Sequence, residues 1–561
     1  MQKASLHQDF GRQVCSQCSA SFEITDDDLA FYERLQVPAP LWCPPCREMR
    51  RMAWCNEGIL YTDTCALCKK PVVSQYAPKG PRPVYCVPCW WGGKWNPMDY
   101  GREIDWSRSI LEQIHELELS VPHTCTTTDT SNENSEYTHH AGHQKNCYMT
   151  FHTSLSEDCY YGYGIKKARS CVDCHYCHES ELCYESVDVQ NCYNLAWSQD
   201  CKNCRDSRFI RDCIGCSNCV LCVGLRNKQY CIFNEQLTPA EYEKRISELQ
   251  FGSHSIFQEL LKHFLALQRK HTWKCLQTEM VEDSVGDHLY RARDAYMCFD
   301  CSDIEHAAYC SQLQLVSKYC ADIYQFGIQS ELCYESAMVG YNIYNCQFCF
   351  DLVEQCFDLL YCISCAASKN CFGCVGLTHG KNCILNKQYT EREYTELLRT
   401  IVEKMRADGE FGEYFPMQFS PFGYNESIAQ LWYPMTRDKA LKKGWKWQDA
   451  LPFTKSLETL KTLPDTIQQV LDSLTEEVLA CESCHRNYKI IPQELKFYRS
   501  QDLPLPRECF PCRRLQRMKL RNPRKLWTRP CMKCGKEMET TYSPERPETV
   551  YCEECYLKKV Y

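Results

Sequence analysis

No stretch of this 561-residue chain approaches eighteen consecutive apolar residues, which excludes a conventional membrane-spanning helix. The opening MQKASLHQDFGRQVCSQC lacks the apolar centre of a secretory leader, so the sequence predicts a cytoplasmic protein. An excess of one charge sign is also missing: 64 Lys and Arg stand against 72 Asp and Glu, a formal net charge of −8. That balance argues against a protein that coats nucleic acid along its whole surface. No phosphate-binding loop, nucleophile elbow or HExxH pair occurs, so none of these common catalytic centres is written in the chain.

Cysteine is abundant instead, with 46 residues in a chain too long for one core and far larger than a disulfide-stapled secreted domain. Sixteen of them form one code written twice. Near the N-terminus it reads Cys15-x2-Cys18, 24 residues, Cys43-x2-Cys46, 18 residues, Cys65-x2-Cys68, 17 residues, Cys86-x2-Cys89. Near the C-terminus Cys481, Cys484, Cys509, Cys512, Cys531, Cys534, Cys552 and Cys555 repeat those intervals without change. A CxxC turn presents two thiolates together, and a second turn completes a tetrahedron with no open position. The pattern predicts about four structural Zn2+ per chain, one for each set of four cysteines. Thiolate ligands require a reducing compartment, which again fits the cytosol.

In the first module the Cys15/Cys18 turn is followed by SFEITDDDLAFYERL, a short strand and a helix with Thr25 as N-cap. A Pro-rich loop leads to the second turn and its helical continuation, CREMRRM. This module resembles the small family named "probable zinc-ribbon", with its FxxTxxxxxFY core and C-x-x-C-R ending, a treble-clef-like unit. The C-terminal copy departs from that core, placing Tyr488 and Ile491 where the first has Phe22 and Thr25. The resemblance covers about 35 residues in each copy and implies a structural zinc. The second module of each pair, CALCKKPVVSQYAPKGPRPVYCVPC and CMKCGKEMETTYSPERPETVYCEEC, reads as a two-stranded zinc ribbon.

The copies differ in charge. Between Arg507 and Lys536 eleven basic residues stand with one acid, Glu508. Arg513, Arg517 and Arg521 share a helix face by i, i+4 spacing, with Arg514, Lys519, Arg524, Lys525 and Trp527 nearby. Such a row suits phosphate contact with base stacking, which makes RNA or DNA a candidate partner. The competing reading is a basic face that docks on an acidic patch of the same chain. The N-terminal copy is less basic, its Arg47, Arg50 and Arg51 being offset by Glu48 and Glu57.

Between the ends lies a ladder of cysteines. Cys171, Cys192 and Cys213 are 21 residues apart, and Cys320, Tyr341, Cys362 and Cys383 repeat that interval. SELCYES occurs at 180–186 and again at 330–336, and NCVLCVGL at 218–225 matches NCFGCVGL at 370–377. Alternating segments such as NCYNLAWS predict short strands, so the fold class is a multidomain, β-rich protein with helices. Its centre reads as a duplicated β-solenoid of about 21-residue coils, flanked by two tandem zinc-ribbon pairs. The expected divisions are 10–100 (zinc pair), 101–146 (helical and aromatic linker), 147–236 (first solenoid half) and 237–297 (cap and connector). They continue with 298–389 (second half), 390–480 (cap and aromatic docking segment) and 481–561 (zinc pair). PDTIQQVLDSLTEEVL is expected as a helix before the last pair.

Other constellations have plain structural readings. Cys213, Cys216, Cys219 and Cys222 form a CxxCxxCxxC run, but its last interval differs from ferredoxin spacing. His139, His140, His143 and His152 near Cys147 read as a polar, loop-like start to the solenoid. Glu181, Glu185, Glu331 and Glu335 read as duplicated acidic turns. The whole arrangement, on its ENSEYT, SELCYES, SPFGYNE and CRRLQRMKLRN segments, resembles a family of cysteine-rich bacterial proteins, which implies an architecture and no activity. The leading expectation is a non-enzymatic zinc-stabilised scaffold that contacts RNA or DNA, or a protein partner, through its C-terminal module. A β-helix enzyme acting on a polymer, and a metal-storage or redox protein using the ladder, stay open as alternatives.

Overall fold

The computed structural model describes residues 11–454, 459–460 and 462–561. The protein is β-rich with helices and several sheets, and among the described residues no helix is long and apolar enough to cross a membrane.

Two long parallel ladders form the body. In the first, Thr138 pairs with Thr150, His175 with Val187, Val187 with Gln199 and Ser217 with Gln229. Each strand therefore meets the segment 12 residues further on. Bridges Tyr148–Tyr160, Phe151–Tyr163, Ser154–Lys166 and Glu157–Arg169 repeat the same offset at three-residue intervals along one rung. In the second ladder the offset is 11 at the first pairing, Thr278–Leu289, and then 12 or 13, as in Phe299–Ser311, Ala321–Tyr334, Tyr334–Gln347 and Phe357–Lys369.

The local cause is a three-residue unit. Ser170, Asp173, Tyr176, Glu179, Leu182, Glu185, Asp188, Asn191 and Asn194 all have positive φ. Asn and Asp are frequent at these corners because their short polar side chains tolerate the left-handed region best after glycine. The residue after each corner faces inward: Cys171, Cys174, Cys177, Ser180, Cys183, Ser186, Val189 and Cys192 are all buried. Small side chains predominate there, alongside aliphatic Ile165, Val189, Leu195 and Ile210. A cysteine or serine donor reaches the carbonyl two residues back, as Cys171 Sγ does to Arg169 O (3.4 Å) and Ser180 Oγ to His178 O (2.7 Å). Cysteine and serine are thus interchangeable fillers of a dry interior.

This geometry corrects the 21-residue coil. Twenty-one is a multiple of the three-residue unit but not of the rung, so Cys171, Cys192 and Cys213 sit at different corners. The true column is Cys147, Cys159, Cys171 and Cys183. Parallel pairing also begins earlier than the cysteines do, at Thr128–Ala141 in the first ladder and Thr278–Leu289 in the second. The early inward positions carry Thr150, Thr153, Ala292 and Ala295, which a search keyed to cysteine passes over.

Each ladder ends in a short antiparallel pair, Cys231–Gln236 and Cys383–Gln388, followed by a helix. Thr238 with Glu241 and Thr390 with Glu393 form capping boxes for Pro239–Ser247 and Glu391–Ala407. Tyr242 and Tyr394 are buried against the ladder ends, covering strand edges that would otherwise template aggregation. The helix expected across 464–479 is instead two short 3-10 turns, Ile467–Gln469 and Asp472–Glu476. The Val470 carbonyl accepts from Arg499, and Asp465 caps Ser253 and Ser255, so groups a helix would use are engaged elsewhere.

The two ladders run antiparallel, side by side, along their first rungs. His152 meets Phe326, Tyr163 and Tyr176 meet Gln312, and Lys202 meets Glu279. The seam is polar. His139, His140, His152, His175 and His178 line it from the first ladder, each with at least one ring nitrogen lacking a partner. His139, His140 and His152 therefore lie on strands Thr138–Lys145 and Thr150–Glu157, not in a loop; only His143 of that group is exposed.

Candidate metal centres and the arginine clamps

All sixteen code cysteines gather as the spacing predicts. The four quartets are Cys15/Cys18/Cys43/Cys46, Cys65/Cys68/Cys86/Cys89, Cys481/Cys484/Cys509/Cys512 and Cys531/Cys534/Cys552/Cys555, each with its sulfurs within 4.8 Å of one another. Sulfur pairs Cys18–Cys43 (3.7 Å), Cys68–Cys86 (3.8 Å), Cys484–Cys509 (3.6 Å) and Cys534–Cys552 (3.8 Å) approximate the edge of a tetrahedron. With metal–sulfur bonds of about 2.3 Å that edge is about 3.8 Å, so the donor sets fit a tetrahedral ion.

Every first turn closes the same way, through a residue of positive φ after the CxxC: Ser19, Lys69, His485 and Gly535. Its N–H bonds back to the first cysteine carbonyl at 2.9 Å in all four copies. Backbone N–H groups also point at sulfur, from Cys43 to Cys15 (3.2 Å), Cys86 to Cys65 (3.2 Å) and Cys552 to Cys531 (3.3 Å). Burial pushes the Cys65 thiol up, but the N–H groups of Cys86, Cys68 and Leu67 outweigh it and bring the group to about 6. Cys531 is likewise raised by burial and brought to about 6 by Cys552, Cys534 and Lys533. One thiol of each ribbon is thus favoured as thiolate, while hydrogen bonding to Cys86 pushes Cys89 up to about 12 and burial pushes Cys555 up to about 12.

The first quartet module of each arm then delivers a helix to a ladder, and the delivery is crossed. Helix Pro44–Met52 of the N-terminal arm docks on the second ladder, where Arg47 pairs with Asp322 (2.8 Å) and Arg51 with Asp322 (3.0 Å) and Glu335 (2.7 Å). Helix Phe510–Lys519 of the C-terminal arm docks on the first. There Arg513 pairs with Asp173 (3.2 Å) and Arg517 with Asp173 (2.9 Å) and Glu185 (3.0 Å). The correspondence extends to stacking, with Arg47 over Tyr309 (5.1 Å) and Arg513 over Tyr161 (4.9 Å). Glu185 and Glu335 are the same residue of the duplicated SELCYES, so two of the four acidic-turn residues are arginine acceptors.

The arginine row is therefore spent inside the molecule. Arg513, Arg514, Arg517, Arg521 and Arg524 are only 5, 6, 2, 9 and 8 % exposed. Arg521 pairs with Asp188 and Asp300, Arg524 with Asp300 and Glu48, and Arg514 donates to the Glu57 carbonyl at 2.7 Å. Five of the eight residues expected to contact phosphate are thus buried and engaged within the chain. Lys519 and Lys525 remain exposed, and Lys525 lies over Trp527 at 5.0 Å. Charge alone could not distinguish the two uses, because apart from Glu494 the acids that receive the row, Asp173, Glu185, Asp188, Asp300 and Glu48, lie more than 200 residues away in the sequence.

The two arms also touch. Arg524 reaches Glu48 at 3.2 Å, and buried Glu57 accepts from Tyr163 (2.6 Å) and Tyr324 (2.9 Å), one residue from each ladder. Each second module pairs a strand with the segment that leads into a ladder: Val84 of the N-terminal ribbon with His123, and Val550 of the C-terminal ribbon with Trp273.

Sequence reasoning gave no sign of a cleft of about 250 Å3 between the N-terminal ribbon and the 411–450 strap. Its walls include Asp63, Tyr76, Glu426, Lys446 and Trp447. Burial pushes the Lys446 ammonium down to about 8, while Glu426 is held by Tyr61 and the Gly423 N–H.

No protein-family profile matches this chain, and no curated protein matches it either. Among solved structures it is matched to a crystal structure from Desulfovibrio desulfuricans G20 that carries an acetyltransferase designation. That match has 9% identity and a TM-score of 0.10; it covers 41% of this chain and spans 63% of the other. So low a score supports no inference about fold or activity.

Proposed function

We propose that this protein is a non-enzymatic scaffold whose four cysteine quartets hold structural zinc and whose ladders close into a pair of solenoids. The observation that carries the reading is the repeated, crossed ion-pair clamp: Arg47 and Arg51 on Asp322 and Glu335, Arg513 and Arg517 on Asp173 and Glu185. A closed tetrahedral thiolate site leaves zinc no position for water, so its work is to fix each helix in the pose that the clamp needs. Four bridges around one rung support closure of the ladder. A body braced at both ends suits the presentation of a rigid surface to a protein partner, and thiolate chemistry suits a cytoplasmic setting.

The experiment is a metal count on the native chain joined to a charge reversal. The reading expects about four zinc and no other metal in the quartets. Changing Arg513, Arg517 and Arg521 to Glu then lowers the unfolding temperature without altering any salt-dependent nucleic-acid affinity. Quartets filled with iron, or a variant that keeps its stability but loses nucleic-acid binding, would sink it. The Lys446 cleft favours a second, narrower reading, a small-ligand site on the N-terminal arm; it does not lie on a ladder flank, where a polymer-cleaving groove was expected.

A further inference from the structure

We propose that the interior of the first ladder holds a fifth metal site, for one soft monovalent ion of the copper(I) class, formed by Cys171, Cys177 and Cys183. Their three sulfurs lie within 4.8 Å of one another, and Cys171 and Cys177 are 3.8 Å apart. All three side chains are completely buried.

The arrangement departs from the filler role in a specific way. Cys171 and Cys183 stack at one corner on successive rungs, while Cys177 faces them from across the interior. Its own column neighbours, Ile165 and Val189, are aliphatic. Cys171 and Cys183 turn their sulfurs to the carbonyls two residues back, of Arg169 and Glu181, as the other ladder thiols do. Cys177 instead directs its sulfur at the Cys171 sulfur. A thiol that gives up a carbonyl for a weaker sulfur acceptor is poorly explained by packing. The duplicated ladder supplies an internal control: between Cys320 and Cys333, the counterparts of Cys171 and Cys183, there is no cysteine.

Three convergent sulfurs with no oxygen or nitrogen ligand select a soft ion. Zinc would demand a fourth ligand and at least two thiolates. A monovalent ion that displaces one thiol proton to solvent leaves the dry interior neutral, avoiding the cost of a buried net charge.

The test uses the full chain, refolded without oxygen in zinc and glutathione-held copper(I), so that burial does not bar the ion. Wild type should retain about one copper beside about four zinc after desalting, with sulfur-only coordination by X-ray absorption. Cys177→Ser should lose the copper and keep the zinc, and it should fold, because Ser180 and Ser186 already occupy inward positions. Cys201→Ser, in the same column two rungs on, should keep both metals. No bound copper in wild type, equal copper in Cys177→Ser, copper gained only as zinc is lost, or a fifth zinc in its place would each overturn the assignment.

Discussion

The two arms match where they touch the ladders and differ where they touch each other. Arg47 and Arg513, Arg51 and Arg517, and their acceptors Asp322 and Asp173 are equivalent residues of a duplicated clamp. Position by position, however, the N-terminal Glu48 corresponds to the C-terminal Arg514, and Gly58 to Arg524. Those are the positions at the arm-to-arm contact, where Arg524 meets Glu48 and Arg514 meets the Glu57 carbonyl. A duplicated module facing itself with like charges would repel, so one copy became basic and the other acidic there. The local excess of arginine in the C-terminal copy is half of an internal pair.

The largest way to break the comparison is to remove one quartet. Cys509→Ser should free the C-terminal clamp and the arm-to-arm contact together, whereas Cys43→Ser should free the N-terminal clamp, which the strap still holds through Arg50 and Glu413. Structural zinc sites contribute on the order of 10 kcal/mol to small modules, so both should expose their helices to hydrogen exchange. The C-terminal loss should spread further, to the Asp300 rung of the second ladder.

Next in size are the clamps themselves. Asp173→Asn leaves Arg513 and Arg517 short of a buried acceptor, and Asp322→Asn does the same to Arg47 and Arg51. Each should cost about 3–5 kcal/mol in denaturant unfolding, and the two should agree if the clamps are true copies.

Acid should act on the seam as well as on the arms, where protonated thiols release their metal. Burial pushes His139 down to about 3, and His178 likewise to about 3 despite its hydrogen bond to the Gly164 backbone carbonyl. A histidine lowered in the folded state favours folding fully above its free value near 6.5, and that contribution fades as pH falls toward 3. Stability should drop by up to about 1.4 kcal/mol per pH unit for each such group below 6.5. His139→Gln should flatten that slope.

The smallest contrast is at the helix caps. Thr25 and Asp28 form a capping box, whereas Ile491 offers no side-chain acceptor and relies on Pro492 and Glu494. Thr25→Ala should cost about 1 kcal/mol, and Ile491→Thr should recover a fraction of that in the C-terminal copy.

The quartets were legible because a CxxC turn is a local device and its spacing survives in the sequence unaltered. The duplicated ladder was legible for the same reason, through SELCYES. The rung length was not, because every third residue faces inward and multiples of three mimic one another until hydrogen bonds pick out twelve. The fate of the arginines was hidden by distance: Asp173 and Glu185 become their partners only once the chain has crossed one arm over to the opposite ladder. The Lys446 cleft left no periodic trace, being assembled from a Pro-rich turn and an irregular strap.

The central claim is that the arginine row faces inward because the metal-braced arm holds it there. Arginine-selective labelling with phenylglyoxal, read by mass spectrometry before and after chelation, tests it most directly. The account predicts that Arg513, Arg514, Arg517, Arg521 and Arg524 resist labelling in the metal-loaded chain while exposed Arg392 reacts, and that chelation opens all five. A metal-loaded protein in which the five label as fast as Arg392 would contradict it.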